Sequence, residues 1–325
     1  MNIPRRQFLN LAAGAVALPA ASSIARAQAY PARPVRIVVP FAAGGSTDII
    51  ARLIGQWLSE RLGQQFVIEN RPGAGSNIGT EVVVNAPPDG YTLLLVGASS
   101  AINATLYERL NFNFLRDITP VAGIISIPFI MVVNPSFPAK TVPEFIAFAR
   151  TNPGKVNVAS GGNGTAGHLS GELFKMMTGL NMVHVPYRGE APALTDMLGG
   201  HVHAMFGTMP ASIEYIRAGK LRALAVTSER RSEVLPDLPV VGDFVPGYET
   251  AALQGVGAPK NTPAEFIDRL NHEINGGLAD PKIKARVADM GGTVLAGSPA
   301  DFGKLIADET EKWSKVVKFS GAKPD

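Results

Sequence analysis

The sequence contains no cysteine among its 325 residues. Disulfide bonds and thiolate metal sites are therefore excluded. Charged residues are also few, at 18%, whereas hydrophobic residues make up 46%. A chain of this length and composition can bury an ample core, so we expect one or two globular α/β domains.

The chain after residue 27 also lacks a net charge. The whole chain carries a formal charge of +3, but residues 1–27 hold Arg5, Arg6 and Arg26 and no acidic residue, so the remainder has a formal charge of 0. That remainder has no cluster of lysine and arginine. Nucleic-acid binding needs a positive surface, so we expect no nucleic-acid partner.

Residues 1–27 have the pattern of an export signal. Arg5 and Arg6 precede an apolar run over residues 8–18, and residues 25–27 form an A-x-A cleavage site. The run is too short to span a bilayer. The segment around the two arginines resembles a twin-arginine signal but departs from its usual pattern at two positions, so the general secretory route stays open. We predict export and cleavage after Ala27.

The stretch Val35–Leu62 predicts a buried strand, a glycine turn at Gly44 and Gly45, and an amphipathic helix capped by Ser46 or Thr47. The free N–H groups and the dipole at such a helix N-terminus favour an anion. A single glycine pair could equally form only a tight βα turn. The same pattern recurs over Lys155–Met177, which favours a binding function for both.

Further strands are expected at residues 65–69 and 91–96, which complete a βαβαβ half. A second half on the same plan has strands at 156–159, 182–185, 202–206 and 221–226. Residues 235–248 form a crossover rich in proline and glycine, and 251–256 could rejoin the first half. Helix starts are predicted at Thr141, Thr262 and Ser298. Two copies of one architecture predict two lobes.

Gly162, Gly164 and Gly167 match the G-x-G-x-x-G dinucleotide fingerprint between a strand and a helix. That site requires an acidic residue at the tip of the next strand to hold a ribose. The sequence there continues through Tyr187, and Glu190 lies beyond the strand. A dinucleotide site is therefore disfavoured, although the anion argument survives without it.

Other chemistries have weaker support. Ser46, Asp48 and His168 could converge as in a hydrolase, but no G-x-S-x-G is present. His201 and His203 would share one strand face and could bind a metal, yet two ligands without a third are weak support. Asp48 could instead brace its own loop, and Arg188 could pair with a ligand carboxylate or with a surface acid. We expect no enzyme activity, no metal and no cofactor.

Five motifs occur in order along the chain: PFAAGGSTD at 40–48, RPGAGSNIG at 71–79, PPDGYTLL at 87–94, GGNGTAGHL at 161–169 and VPYRG at 185–189. Together they resemble the substrate-binding proteins of tripartite tricarboxylate transporters, also called the Bug family. Two departures are Ala42-Ala43, where the family often has proline, and His201-Val202-His203, where Gln-Val-Asp is more usual.

The resemblance implies an α/β periplasmic binding protein of two lobes, each a mainly parallel sheet flanked by helices, with the ligand cleft between them. It implies a monomer that passes a small organic carboxylate to integral membrane permease subunits. We place the first lobe at residues 28–127 and 244–325 and the second at 128–243, with hinges near 128 and 244. The ligand-binding residues that the resemblance nominates are Phe41, Gly44, Gly45, Asp48, Ser99, Ser160, Thr165, Ala166, His168, Tyr187, Arg188 and Thr208.

Few cations stand near these positions, which favours a mono- or dicarboxylate over a tricarboxylate. A periplasmic sensor that docks on a signalling partner remains an alternative within the same fold. An exported hydrolase is a weaker one.

Overall fold

The computed structural model describes residues 30–107 and 109–324, so the predicted export signal lies outside the described residues. The strands are β1 (Val35–Val39), β2 (Phe66–Asn70), β3 (Thr92–Gly97), β4 (Ile118–Val133), β5 (Asn157–Ser160), β6 (Val183–Pro186), β7 (Ala204–Thr208), β8 (Arg222–Val226), β9 (Ala251–Pro259) and β10 (Thr293–Val294).

The α-helices are α1 (Ser46–Leu62), α2 (Asn77–Val84), α3 (Ala98–Leu106), α4 (Phe114–Asp117), α5 (Val142–Thr151), α6 (Ala166–Thr178), α7 (Glu190–Leu198), α8 (Met209–Arg217), α9 (Ala264–Ala279), α10 (Pro281–Asp289) and α11 (Pro299–Ser320). Short 3-10 turns occur at Ala74–Ser76 and Val241–Asp243. In the part of the chain that the structure describes, none of the helices is both long and apolar enough to cross a membrane.

The two halves of the sheet follow one plan. In the first, β1 lies between β2 and β3 and is parallel to both, and β9 runs antiparallel beside β3. In the second, β5 lies between β6 and β7 and is parallel to both, and β4 runs antiparallel beside β7. The predicted βαβαβ half and its repetition are confirmed, because each apolar strand is followed by a helix that crosses back over the sheet.

Strand β4 connects the halves. Its residues from Ile118 to Pro128 pair with β9, and its residues from Phe129 to Val133 pair with β7. The change of partner between Pro128 and Phe129 falls in a single continuous strand. Pairing with β8 also begins on this distal part of β4, at Ile130.

The structure corrects two predicted caps. Gly45, which has no side chain to donate or accept, is the N-cap of α1, so neither Ser46 nor Thr47 has the capping role. Pro263 stands at the N-cap of α9, and the Thr262 hydroxyl instead donates to the carbonyl oxygen of Pro259. In both cases the chain reaches the first turn one or two residues away from the position that the side-chain pattern favours.

The other two predicted caps are confirmed. Thr141 accepts a hydrogen bond from the Glu144 N–H, and Ser298 forms a reciprocal capping box with Asp301.

The two histidines expected on one strand face do not lie on a strand. His201 and His203 both precede β7, which begins at Ala204. The Nδ1 atom of His203 accepts a hydrogen bond from the Asn157 N–H at 2.9 Å. The chain turns sharply there, since Gly200 has a φ of 76°. The premise for a metal pair on one strand face is therefore wrong.

The last helix, α11, packs against both halves. Phe302 and Ile306 lie in a cluster with residues of β1 and β3. Trp313, which is fully buried, lies in a second cluster with Phe129 and Phe174. Its spacing of apolar positions gives α11 one continuous apolar stripe. The helix thereby holds the two halves together at one side.

Candidate functional site

The starts of four helices meet around one cavity of about 70 Å³. We call it the cleft cavity. The N-cap residues of α1, α3, α6 and α8 all line it: Gly45, Gly97, Thr165 and Thr208. Each of these helices follows a strand, and ligands in open α/β sheets bind at the carboxyl ends of strands. The sequence predicted only two of these four helix starts as anion sites.

First-turn N–H groups of a helix have no acceptor within the helix. The N-cap residues of α1, α3 and α8 make no side-chain capping hydrogen bond, although Glu190 accepts one from the Ser46 N–H of α1. Their backbone dipoles converge on the cleft cavity without any lysine or arginine among its lining residues. The arrangement suits a small anion, held by backbone N–H groups and hydroxyls.

Two glycines allow the loops from opposite halves to approach each other. Gly75 has a φ of 59°, and a side chain there would collide with the carbonyl oxygen of Asn163. Gly164 has a φ of 72°, and a side chain there would collide with Asn103 and with Leu106. Only glycine fits both the left-handed backbone and the close contact. The loop before α6 is therefore packed against the loop before α2 and against α3.

Asp48 lies beneath the first glycine loop. Its carboxylate accepts hydrogen bonds from the Gly44 N–H at 3.0 Å, from the Arg52 guanidinium at 2.9 and 3.0 Å, and from the Asn70 amide at 3.0 Å. Burial raises the pKa of Asp48, but these hydrogen bonds outweigh it and hold the pKa below its usual range. Asp48 braces the loop, one of the two roles that the sequence suggested.

His168 lies behind the second glycine loop. Its Nδ1 atom accepts a hydrogen bond from the Gly164 N–H at 3.2 Å, and its ring stacks on His184 with the centroids 3.8 Å apart. Burial, followed by the charges of His184 and Lys175, lowers the pKa of His168 to about 3. Burial and Lys175 lower the pKa of His184 to about 4. Both rings are neutral at pH 7 and hold the loop in shape.

A second cavity of about 440 Å³ adjoins the first, and we call it the side cavity. Phe41 and Gly161 line both cavities. Tyr187 lines the side cavity and donates its hydroxyl to Asp196 at 2.6 Å. Arg188 also lines it and is exposed. Among the described residues no ion pair involves Arg188, so its charge faces the side cavity without an acidic partner.

The twelve nominated residues therefore fall into three groups. The cleft cavity is lined by Phe41, Gly45, Ser99, Thr165, Ala166 and Thr208. The side cavity adds Tyr187 and Arg188. The other four, Gly44, Asp48, Ser160 and His168, line neither cavity and lie in or behind the two glycine loops. The Ser160 hydroxyl lies 2.6 Å from His184 Nε2 and accepts from the Gly162 N–H.

Four polar residues that line the cleft cavity were not nominated: Ser46, Thr47, Glu190 and Gln254. Glu190 accepts hydrogen bonds from the Ser46 N–H and from the N–H and hydroxyl of Thr208. Gln254 is 2% exposed, and its Nε2 donates to the Ser46 hydroxyl at 3.2 Å. In the sequence, Glu190 was considered only as an acidic residue that lies too far beyond the strand to bind a ribose. The one signal for Gln254 in the sequence is that it is a lone amide in an apolar run.

The geometry does not support the hydrolase hypothesis. Ser46 lines the cleft cavity, Asp48 is bound to Arg52, and His168 lies behind the loop beside His184. A nucleophile and its base must lie within hydrogen-bonding reach, and these three side chains bind other partners instead.

Across residues 30–107 and 109–324 there is also no group of three metal-ligating side chains.

Comparisons with known proteins agree with this architecture. The family described as the tripartite tricarboxylate transporter family receptor matches residues 50–321. Protein BugT of Bordetella pertussis is 38% identical over 300 residues, which cover 91% of this chain and 92% of that protein.

Two solved structures are also similar. R. palustris Rpa4515 with adipate has a TM-score of 0.89 and 39% identity, over 91% of this chain and 100% of that one. MatC from Rhodopseudomonas palustris with bound malate has a TM-score of 0.85 and 31% identity, over 89% of this chain and 100% of that one. The family is one of periplasmic solute-binding receptors and not of enzymes. This two-lobed chain therefore belongs to the tripartite tricarboxylate transporter receptors, the Bug family.

Proposed function

We propose that the protein captures a small organic carboxylate in the cleft cavity and delivers it to a tripartite tricarboxylate-type membrane permease. The observation that carries this proposal is the convergence of four helix N-termini on one cavity. A carboxylate held there would accept hydrogen bonds from backbone N–H groups and hydroxyls. Such charge-assisted bonds contribute about 1.5 to 3 kcal/mol each.

The ligand is a mono- or dicarboxylate in this proposal. The cleft cavity has no cation in its lining, and Arg188 is the one arginine or lysine that lines either of the two cavities. A tricarboxylate would leave at least one charge without a partner. Adipate and malate, the molecules bound to the two similar structures, are both dicarboxylates.

Ligand contacts are proposed for the nominated residues that line a cavity. Ser99 is the sharpest of them, since its hydroxyl is buried at the N-terminus of α3 and lines the cleft cavity. Thr165 is a less direct contact, because its hydroxyl already donates to the Gly162 carbonyl oxygen and accepts from the His168 N–H. Gly44, Asp48, Ser160 and His168 would act by holding the two loops.

Lobe closure is part of the proposal. We infer lobes of residues 28–127 with 244–325 and of residues 128–243, and a hinge near Pro128, where β4 changes partner. The second predicted hinge, near Phe244, precedes a point where Thr227 and Thr250 are hydrogen-bonded. Small-angle scattering should give a smaller radius of gyration with a bound acid than without one. An unchanged radius with saturating ligand would contradict hinge closure.

Export completes the proposal. Residues 1–27 would direct the chain to the periplasm and be removed after Ala27, through either the twin-arginine or the general secretory route. N-terminal sequencing of the periplasmic protein would test the cleavage site. Uptake of a bound acid by cells with and without the permease would separate transport from sensing.

Binding is tested by a thermal-shift screen of mono- and dicarboxylates, followed by calorimetry with adipate. We expect Ser99→Ala to weaken adipate binding by about tenfold, since one hydrogen bond to a charged group is lost. The control is Ser100→Ala, because Ser100 is equally buried next to it but lines neither cavity. If no carboxylate shifts the melting temperature, or if the two variants bind alike, the proposed site is wrong.

A further inference from the structure

Glu190 connects the two halves of the molecule inside the cleft cavity. One carboxylate oxygen accepts from the Thr208 N–H at 2.9 Å. The other accepts from the Thr208 hydroxyl at 2.8 Å and from the Ser46 N–H at 3.2 Å. Ser46 is the first residue of α1, and Thr208 is the N-cap of α8. The protein thus places its own carboxylate at two of the four helix starts.

Gln254 is hydrogen-bonded to the same residue, Ser46. Its Nε2 donates to the Ser46 hydroxyl, while its Oε1 is buried and has no hydrogen-bond partner in the described chain. Gln254 and Glu190 both line the cleft cavity. The Glu190 carboxylate therefore places a negative charge in the lining of the cleft cavity, and this charge repels an ionised ligand carboxylate.

Two other helix starts supply donors. Ala98 and Ser99 begin α3, and Ala166 and Gly167 begin α6, and all four line the cleft cavity. First-turn N–H groups at these positions have no acceptor within their helices. A ligand carboxylate therefore finds its donors at α3 and α6, from which Glu190 accepts no hydrogen bond.

We propose that Glu190 is a specificity-determining residue that supplies one anion of the cleft cavity itself, so that a ligand places a single carboxylate at the starts of α3 and α6. This rests on the proposed function. A second carboxylate on a short ligand would share a cavity of about 70 Å³ with Glu190 and is disfavoured. On a longer ligand it reaches past Phe41 and Gly161 into the side cavity beside Arg188.

The physical reason is like-charge repulsion in a small, mostly buried space. Two carboxylates close together in a medium of low dielectric repel each other far more strongly than in water. Backbone N–H groups at α1 and α8 already stabilise the charge of Glu190, so these donors are not free for a second anion. The ligand class that follows is an elongated acid with one carboxylate in the cleft cavity.

The test is calorimetry with two matched pairs of acids, propanoate with malonate and hexanoate with adipate, using displacement of adipate for the weaker ligands. We expect Glu190→Gln to raise the affinity for malonate relative to propanoate by about tenfold, because a nearby negative charge is removed. The affinity for adipate relative to hexanoate should change by less than about threefold, because its second carboxylate lies farther from residue 190. Comparing acids within one protein cancels any general effect of the substitution on lobe closure.

Glu214→Gln is the control, since it removes the same formal charge from an exposed ion pair with Arg217. It should leave both ratios as in the wild type. An unchanged malonate-to-propanoate ratio in Glu190→Gln, or malonate that fails to displace adipate from it, overturns the proposal. Loss of all carboxylate binding by a folded Glu190→Gln protein also overturns it. Wild-type protein that binds none of the four acids contradicts the proposed function instead.

Discussion

The stacked pair His168 and His184 makes stability depend on pH in a window that few other groups share. Both rings are buried, and burial is the main reason that their pKa values fall to about 3 and about 4. In the unfolded chain a histidine has a pKa of about 6.5. Below that pH the unfolded state binds protons at these histidines that the folded state does not bind, so acid favours unfolding.

The magnitude follows from these values. A pKa held low in the folded state contributes stability that is present above about pH 6.5 and is lost as the pH falls toward the folded value. Between pH 6.5 and pH 5 each histidine should lower the free energy of unfolding by about 1.5 kcal/mol, so the pair accounts for about 3 kcal/mol. Most carboxylates titrate below this window and contribute little to the slope.

The perturbation replaces both rings with side chains that do not titrate. His168→Asn keeps an acceptor near the position of Nδ1, which accepts from the Gly164 N–H. His184→Gln keeps a polar atom near the position of Nε2, which lies beside the Ser160 hydroxyl. Urea unfolding, followed by tryptophan fluorescence and circular dichroism at pH 6.5, 6.0, 5.5 and 5.0, gives the free energy of unfolding for each protein.

Between pH 6.5 and pH 5, we expect the free energy of unfolding of the double variant to fall by about 3 kcal/mol less than that of the wild type. For each single variant, the fall should be smaller than in the wild type by about half of that amount. His272→Asn is the control, because His272 is exposed and its loss should leave the slope unchanged. Equal slopes for the wild type and the double variant would refute the reasoning that the buried rings stay neutral.

Two further predictions concern packing. Trp313→Ala should lower the free energy of unfolding by roughly 3 to 5 kcal/mol, since the ring is fully buried between the halves; urea unfolding against exposed Lys315→Ala measures it, and a loss below about 1 kcal/mol would mean that α11 does not hold the halves together. Gly164→Ala should cost more stability than Gly179→Ala. Both positions have a positive φ, but only the first is crowded, by Asn103 and Leu106, so equal losses in thermal melts would show that this close approach has no energetic weight.

The βα units were predictable because their signals are local. The run Val35–Val39 is β-branched and apolar, and the helix after it repeats its apolar positions at helical spacing. The same reasoning identified the second unit through Thr165, whose capping role depends only on residues three positions apart. Its errors at Ser46 and Thr262 are also local, since a cap depends on where the backbone enters the first turn.

The direction of side chains at the site was less predictable. His168 and Ser99 both follow a strand end, and both were nominated, yet His168 turns behind its loop while Ser99 lines the cleft cavity. A helix start sends successive side chains to different faces, and which face borders the cavity depends on the packing of the neighbouring helix.

The sequence by itself determined the alternation of strands and helices, the two glycine loops and the absence of thiol chemistry. Only the tertiary structure decided that four helix starts meet in one cavity and that Glu190 occupies two of them. Glu190 and the Ser46 N–H are 144 positions apart in the chain. No local pattern of residues encodes such a contact, because it forms only when the two halves of the chain pack against each other.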